Sequence, residues 1–198
     1  MPTHIRHRPL ILCRISETLS EEVLSKLHAG PKSSYTIIDA TSLENYDAFL
    51  FGIPTRFGNF PAQWKTFWDT TGKQWSTGGF WGKYVGLFIG TATQGGGQES
   101  TALAAMSTLA AHGMIFVSLG YKTTLNIQSN LDEARGGSPW GAGTYTVGTI
   151  LHWITFNLTD RLQIQGLDGS RMPSALELEL ATIQGESFGQ AINKVTFD

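Results

Sequence analysis

A chain of 198 residues is of single-domain size and long enough to bury a full hydrophobic core unaided. Its 14 Lys and Arg stand against 16 Asp and Glu, a net charge of −2, which excludes the basic face of a nucleic-acid binder. No apolar run approaches the ~20 residues of a membrane span, and Cys13, the single cysteine, leaves no intramolecular disulfide. The basic stretch Met1 to Arg8 followed by apolar Pro9 to Cys13 has the outline of a secretory signal. Arg14 interrupts it and no small-residue cleavage site follows, so the expected compartment is the cytoplasm. Six Trp supply flat contact area and 23 Gly allow close backbone approach, a composition that favours a planar ligand.

In chain order, Leu10 to Ile15 has the length and apolarity of a short strand, or of the tail of a larger element. Thr18-Leu-Ser-Glu21 has capping-box spacing and predicts a helix with Val23, Leu24 and Leu27 on one face, ending at Gly30. Pro31 to Ser42 is expected as a loop. Tyr46 to Phe51 is an aromatic and apolar run closed by Gly52 and Pro54, a buried strand. Pro61 opens a helix carrying Trp64, Phe67 and Trp68. Gly72 to Gly82 is expected as a loop around Trp75. Tyr84 to Ile89, closed by Gly90, is a second strand; Ser100 to Ala111 is an Ala-rich helix; Gly113 breaks it, and Met114 to Leu119 is a third strand. The last helix starts near Ser174 with Glu177 three residues on, and Leu176, Leu180 and Ile183 form its inner face. Strands alternating with helices predict one α/β domain, a parallel sheet with helices on both faces.

Two loops follow strands and precede helices, where ligands of open α/β sheets bind. In Gly52-Ile-Pro-Thr-Arg-Phe-Gly-Asn-Phe60 the N–H groups from Thr55 to Asn59 suit a flat heterocycle with Phe57 over its face; a tight turn with a packing aromatic is the equal alternative. Thr91-Ala-Thr-Gln-Gly-Gly-Gly-Gln98 suits a phosphate cradle, a ring edge or a plain connector, and it is neither G-x-G-x-x-G nor a Walker A sequence. His112, a lone histidine at a helix end, is read first as structural. Arg135-Gly-Gly-Ser-Pro-Trp-Gly141 is a rigid turn that closes a pocket or packs in an interface. The sequence has no zinc spacing, and no G-x-S-x-G elbow marks a nucleophile.

GIPTRFGNFPAQWKTFWD, the TATQGGGQES loop, HGM and RGGSPWGAG together resemble the WrbA family of NAD(P)H:quinone oxidoreductases, its fungal members most of all. The similarity runs from about Ser16 to Thr146 and resumes at Asp168. The resemblance implies a flavodoxin-like three-layer sandwich, FMN at the carboxyl edge of the sheet, NADH or NADPH as reductant, a quinone substrate and a homotetramer. Thr55, Arg56, Phe57, Gly58 and Asn59, with Gly90, Thr91, Ala92, Thr93, Gln94 and Gly95, match positions that hold the flavin ring. His112 matches a flavin-contacting histidine and Trp75 an aromatic at the substrate face. No side chain is expected as an obligate acid or base, and no metal is expected. Gly90 and Ala92 stand where relatives usually have Ser or Thr and Gly.

Two stretches depart from the family pattern. Relatives begin with a strand, a Ser-rich phosphate loop and a helix, on the order of 30 residues. Nothing before Ser16 resembles that unit, so the first strand and the phosphate loop are expected to be missing. That leaves a slot beside the next strand, which the apolar Leu10 to Ile15 is of a length to fill in part. Residues 1–15 are thus atypical, and Val147 to Leu167 reads as an insertion. The expected activity is two-electron reduction of quinones through FMN, impaired in the chain as written. A flavin-free, non-catalytic interaction protein of the same fold is the alternative; a one-electron flavodoxin carrier fits less well, because carriers are usually strongly acidic.

Overall fold

The computed structural model describes residues 10–27, 29–30, 32–145 and 171–197. Its central strands are β3 (Ala48–Pro54) and β4 (Tyr84–Thr91), paired in parallel from Ala48↔Tyr84 to Pro54↔Gly90. The other edge of β4 is covered twice, in parallel, by β5 (Ile115–Phe116) at its start and β6 (Gly143–Tyr145) at its end. The expected third strand is therefore shorter than Met114 to Leu119. The chain leaves the edge after Phe116, makes α6 (Leu125–Gln128) and returns at Gly143.

Pleating separates two cores. Phe49, Phe51, Ile53, Val85, Leu87 and Ile89 bury one face against Trp64, Phe67 and Trp68 of α3 (Ala62–Asp69) and Ala102, Ala105 and Leu109 of α5 (Gln98–Ala111). Leu50 and Phe88 face the other way, against Leu176, Leu180, Ala181 and Ile183 of α7 (Ala175–Ile192). These are the layers of a flavodoxin-like α/β sandwich, and α7 begins as its sequence predicts. Ser174 accepts from the Glu177 N–H and Glu177 reaches back to the Ser174 N–H.

Other expectations shift for local reasons. The first helix, α1 (Glu21–Lys26), is capped by Ser20, because the Glu17 carboxylate takes the N–H groups of Thr18 and Leu19 at 2.7 and 2.8 Å and folds both ahead of the helix. It stops short of Gly30. The presumed loop Pro31 to Ser42 contains β2 (Thr36–Ile37) and α2 (Ala40–Leu43), the latter capped by Asp39. The presumed loop around Trp75 contains α4 (Gly72–Thr77), closed by Gly78 at φ 75°.

Leu10 to Ile15 does not join β3. Its two-residue strand β1 (Cys13–Arg14) pairs with β2, Cys13↔Thr36 and Arg14↔Ile37. A cavity of about 240 Å³ separates it from β3, lined by Leu10 to Ile15 on one side, Ala48 to Gly52 on the other, and Ala181, Gln184 and Gly185 of α7. The ladder bonds Tyr84 N–H to Asp47 and Thr55 N–H to Gly90 turn the odd-numbered residues of this strand toward β4. In a parallel ladder the N–H and C=O of Ala48, Leu50 and Gly52 then face the cavity. Among the described residues the partner found for them is Trp64, whose Nε1 donates to the Gly52 carbonyl at 3.1 Å.

Met1 to Arg8 and Val147 to Leu167 lie outside the described residues. The flanks of the second stretch are clasped together. The Arg171 guanidinium lies 3.9 Å from the Tyr145 ring centroid, and its NH1 donates to the Tyr145 carbonyl. Removal of residues 147–167 therefore leaves a short connection between ends already in contact. The expected melting temperature of that deletion is within about 3 °C of the parent, less than 1–2 kcal/mol for a chain of this size. A drop above about 10 °C on a calorimetric scan contradicts this.

Candidate functional site at the carboxyl edge of the sheet

β3 and β4 both end at the same edge, and the two loops beyond them touch. Thr55 is buried; its N–H donates to the Gly90 carbonyl at 2.8 Å, and its hydroxyl lies 2.6 Å from that of Thr101 and accepts from the Gly58 N–H at 3.1 Å. Arg56 and Asn59 exchange backbone hydrogen bonds at 2.9 and 3.0 Å around Phe57 (φ 53°) and Gly58 (φ 76°), a turn with positive φ at both central residues. Phenylalanine is strained there, and the turn leaves its ring fully exposed. Gly97, at φ 109°, allows the loops to meet: a Cβ on it would lie 3.0 Å from the Gly58 Cα.

The first loop has less to offer a ligand than its sequence suggests. The N–H groups of Thr55, Arg56, Gly58 and Asn59 are engaged internally, which leaves that of Phe57 without a partner among the described residues. The second loop is the richer donor. Only Gly96 of the stretch 92–97 donates internally, to Thr93 at 2.9 Å, so the N–H groups of Ala92, Thr93, Gln94, Gly95 and Gly97 have no partner among the described residues. The N-terminus of the 14-residue α5 lies directly behind them with no side-chain cap. Gly90 and Thr91 are buried at the strand end, with the Thr91 hydroxyl held on the Thr93 carbonyl at 2.7 Å. An exposed aromatic beside a row of free donors fits a flat heterocycle with carbonyl and ring-nitrogen acceptors along one edge. A flavin is such a ring.

Beside the first loop the edge is less suited to a dianion. Glu17, just beyond β1, already occupies the donors next to it: Thr18 N–H, Leu19 N–H and Gln63 Nε2 at 2.8 Å. Burial pushes its acidity down in strength, but those hydrogen bonds, Gln63 first, outweigh it and hold its carboxyl below the usual range. It presents negative charge close to Arg56, the cation of the first loop.

His112 and Trp75 are not brought to these loops. α5 carries the chain back across the sheet, about 21 Å at 1.5 Å per residue, and His112 caps its far end. There the ring packs 5.3 Å from Trp68 and 5.2 Å from Phe80, centroid to centroid. The Thr71 hydroxyl donates its one proton to the Trp68 carbonyl at 2.7 Å, so it accepts from His112 Nε2–H at 2.9 Å. Nδ1 is then a bare, buried acceptor. Trp75, on α4, is 63 % exposed at the same amino edge, and Trp81 is 76 % exposed. The resemblance-based roles of His112 and Trp75 are thus not met within one chain. Trp140 is half-buried and packs 6.0 Å from Phe116, and Arg135 is tied to the Ile127 carbonyl.

Desolvation lowers the His112 pKa below the ordinary 6.5. The unfolded chain therefore binds the proton first on acidification. Its contribution is fully present above about pH 6.5 and is lost as pH falls below that value. His112→Gln is expected to flatten the fall in stability between pH 7.5 and 5.5 in urea titrations; a fall of the parent's steepness contradicts the assignment.

The sequence did not mark the side chains that organise this edge for that role. Gln98, the first residue of α5, and Glu177, on α7, are buried and bind backbone from several segments. Their long-range partners are 33 to 46 residues away; the Ser174–Glu177 spacing marks Glu177 only as a helix-start residue, and no local pattern points to these partners.

Comparison with known proteins places this architecture among redox enzymes. Residues 39–124 match the family model described as NADPH-dependent FMN reductase. The chain is 56 % identical over 188 residues to minor allergen Cla h 7 of Davidiella tassiana, covering 94 % of this chain and 82 % of that protein. It is 49 % identical over 181 residues to an NAD(P)H quinone oxidoreductase of Candida albicans, covering 91 % and 81 %. A WrbA-like flavodoxin from Agrobacterium tumefaciens aligns with TM-score 0.44 at 20 % identity, over 74 % of this chain and 69 % of that one.

Proposed function

Since the chain belongs to the WrbA-type NAD(P)H quinone oxidoreductases, we propose that it reduces quinones with NAD(P)H through a flavin held at the carboxyl edge, and that this flavin is FMN. The observation that carries the reading is the row of N–H groups at Ala92, Thr93, Gln94, Gly95 and Gly97 with no partner among the described residues, set against the strained, exposed Phe57. A bound flavin would supply the two-electron redox chemistry between nicotinamide and quinone. The chain's residues bind and orient. Ala92, Thr93, Gln94, Gly95 and Gly97 offer donors to the ring's polar edge, Phe57 offers a face, and Thr55, Arg56, Gly58 and Asn59 keep the first loop in shape. Buried Gly90 and Thr91 fix where the second loop begins. Nicotinamide and quinone use the open side in turn. No residue near the ring loops is placed as an acid or base.

The fit proposed for Trp75, which is exposed, is across copies, whereas His112 stays buried within its own chain. Two tryptophans exposed on one edge form an apolar patch suited to association, and a homotetramer is the assembly proposed, with that edge of one copy facing the flavin loops of another. The compartment proposed is the cytoplasm, on the strength of the unpaired Cys13.

The test is NAD(P)H oxidation by benzoquinone with FMN added to saturation. Turnover that depends on both FMN and the quinone is expected; none at any FMN level overturns the reading. Trp75→Ala is expected to lower quinone turnover at least tenfold while FMN affinity changes less than threefold (less than ~0.7 kcal/mol). Equal loss of both makes Trp75 structural.

A further inference from the structure

Two buried glutamines bridge β4 to the segment that returns as β6, and they differ in what they reach. Gln184 of α7 works mid-sheet: its Oε1 accepts from the Ala142 N–H at 2.8 Å and its Nε2 donates to the Leu87 carbonyl at 2.7 Å. Gln98 works at the carboxyl edge. Its Nε2 donates to the Thr144 carbonyl at 2.9 Å and to the Thr91 hydroxyl at 3.2 Å, and its Oε1 accepts from the Gly137 N–H. One carboxamide thus ties the start of the donor loop, the last strand and the Arg135–Gly137 turn to the first residue of α5.

The packing around it is too close for side chains. A Cβ on Gly136 would lie 2.6 Å from Gln98 Nε2, and one on Gly143 would lie 2.3 Å from Gln98 Oε1. The Thr91 hydroxyl, held by Gln98, in turn holds the Thr93 carbonyl, which accepts the single internal bond of the donor loop, from Gly96. Gln98 therefore sits at the root of the chain of bonds that shapes residues 92–97.

We infer that Gln98 is a positioning residue for the ring site: it touches no ring, and it presets the loop whose N–H groups meet the flavin. The inference rests on the flavin-site reading above. Removing Gln98 leaves the loop free to sample other shapes, and preorganisation lost in the free protein is repaid from binding.

Gln184 is the control, since it is equally buried, at 5 % against 7 % exposure, and bridges the same two strands away from the edge. The experiment titrates FMN fluorescence quenching for the parent, Gln98→Leu, Gln98→Glu and Gln184→Leu, and records each melting temperature. Both leucine variants are expected to melt lower by similar amounts. Only the Gln98 variants are expected to weaken FMN binding, by tenfold or more, and to shift the visible spectrum of bound flavin toward that of free flavin. Gln98→Glu keeps the shape and the acceptor but not the donor, and it carries the test if Gln98→Leu does not fold. Equal FMN affinity in the Gln98 variants and Gln184→Leu overturns the inference and leaves the flavin site standing. An absence of quenching in the parent overturns the flavin site itself.

Discussion

Titrated with FMN, the 198-residue chain is expected to bind at least about 10³-fold more weakly than a relative whose phosphate is held by its own donor loop, and to purify colourless. Ala92, Thr93, Gln94, Gly95 and Gly97 have N–H groups without a partner among the described residues, the donors proposed for the ring. The Ser-rich phosphate loop expected of the family has no counterpart among the described residues. The donors at Thr18, Leu19 and Gln63 are taken by Glu17. Each hydrogen bond lost to a charged group costs roughly 1.5–3 kcal/mol, and about 1.4 kcal/mol is tenfold in affinity. Three such bonds give the factor stated. Riboflavin, which lacks the phosphate, should then bind within a few-fold of FMN. A yellow preparation with stoichiometric FMN, or a large preference for FMN over riboflavin, contradicts this and means that the chain holds the phosphate elsewhere.

Glu177→Ala is expected to produce the largest loss of stability of any single polar substitution near the site. The Glu177 carboxylate is 1 % exposed and pairs with Arg171 at 3.1 Å; it also accepts from Gly136 N–H at 2.7 Å, Ser174 N–H at 2.8 Å and the Thr144 hydroxyl at 3.0 Å. Removing it leaves the guanidinium and three donors short of a partner. Breaking a buried pair from one side costs about 3–5 kcal/mol. At about 2–4 °C per kcal/mol for a chain of this size, the melting temperature falls by roughly 6–20 °C. Arg171 keeps 23 % of its side chain in solvent, which places the result in the lower half of that range. Glu177→Gln, which preserves shape and an acceptor, should lose less. A fall within about 2 °C for Glu177→Ala would show that the carboxylate is dispensable.

The parts of the fold written locally were legible. Tyr46 to Phe51 and Tyr84 to Ile89 are the central strands because apolar side chains on both faces have helices to bury against, and Ser174 with Glu177 marks the last helix by spacing alone. The two loops at the carboxyl edge were legible as loops, since each follows a strand. What failed depends on distant partners. β2 is two residues long and exists through pairing with β1. The third strand breaks because β4 offers its edge to two separated segments. Gln98 and Glu177 look like ordinary helix-start residues until the Arg135–Gly137 turn folds onto them. The distance of His112 from the ring loops, by contrast, was implicit in the sequence. A 14-residue helix beginning at the carboxyl edge ends at the amino edge, and His112 is the residue that follows it.

The claim at the centre of this account is that the loop from Ala92 to Gly97 takes the flavin ring. Backbone amide exchange, followed by mass spectrometry with and without FMN near saturation, tests it directly. Slowed exchange confined to residues 92–97 and Phe57 is the expected result. Unchanged exchange in those residues, with protection appearing instead along Leu10 to Ile15 and Ala48 to Gly52 beside the cavity, would contradict it and place the flavin in the slot next to β3.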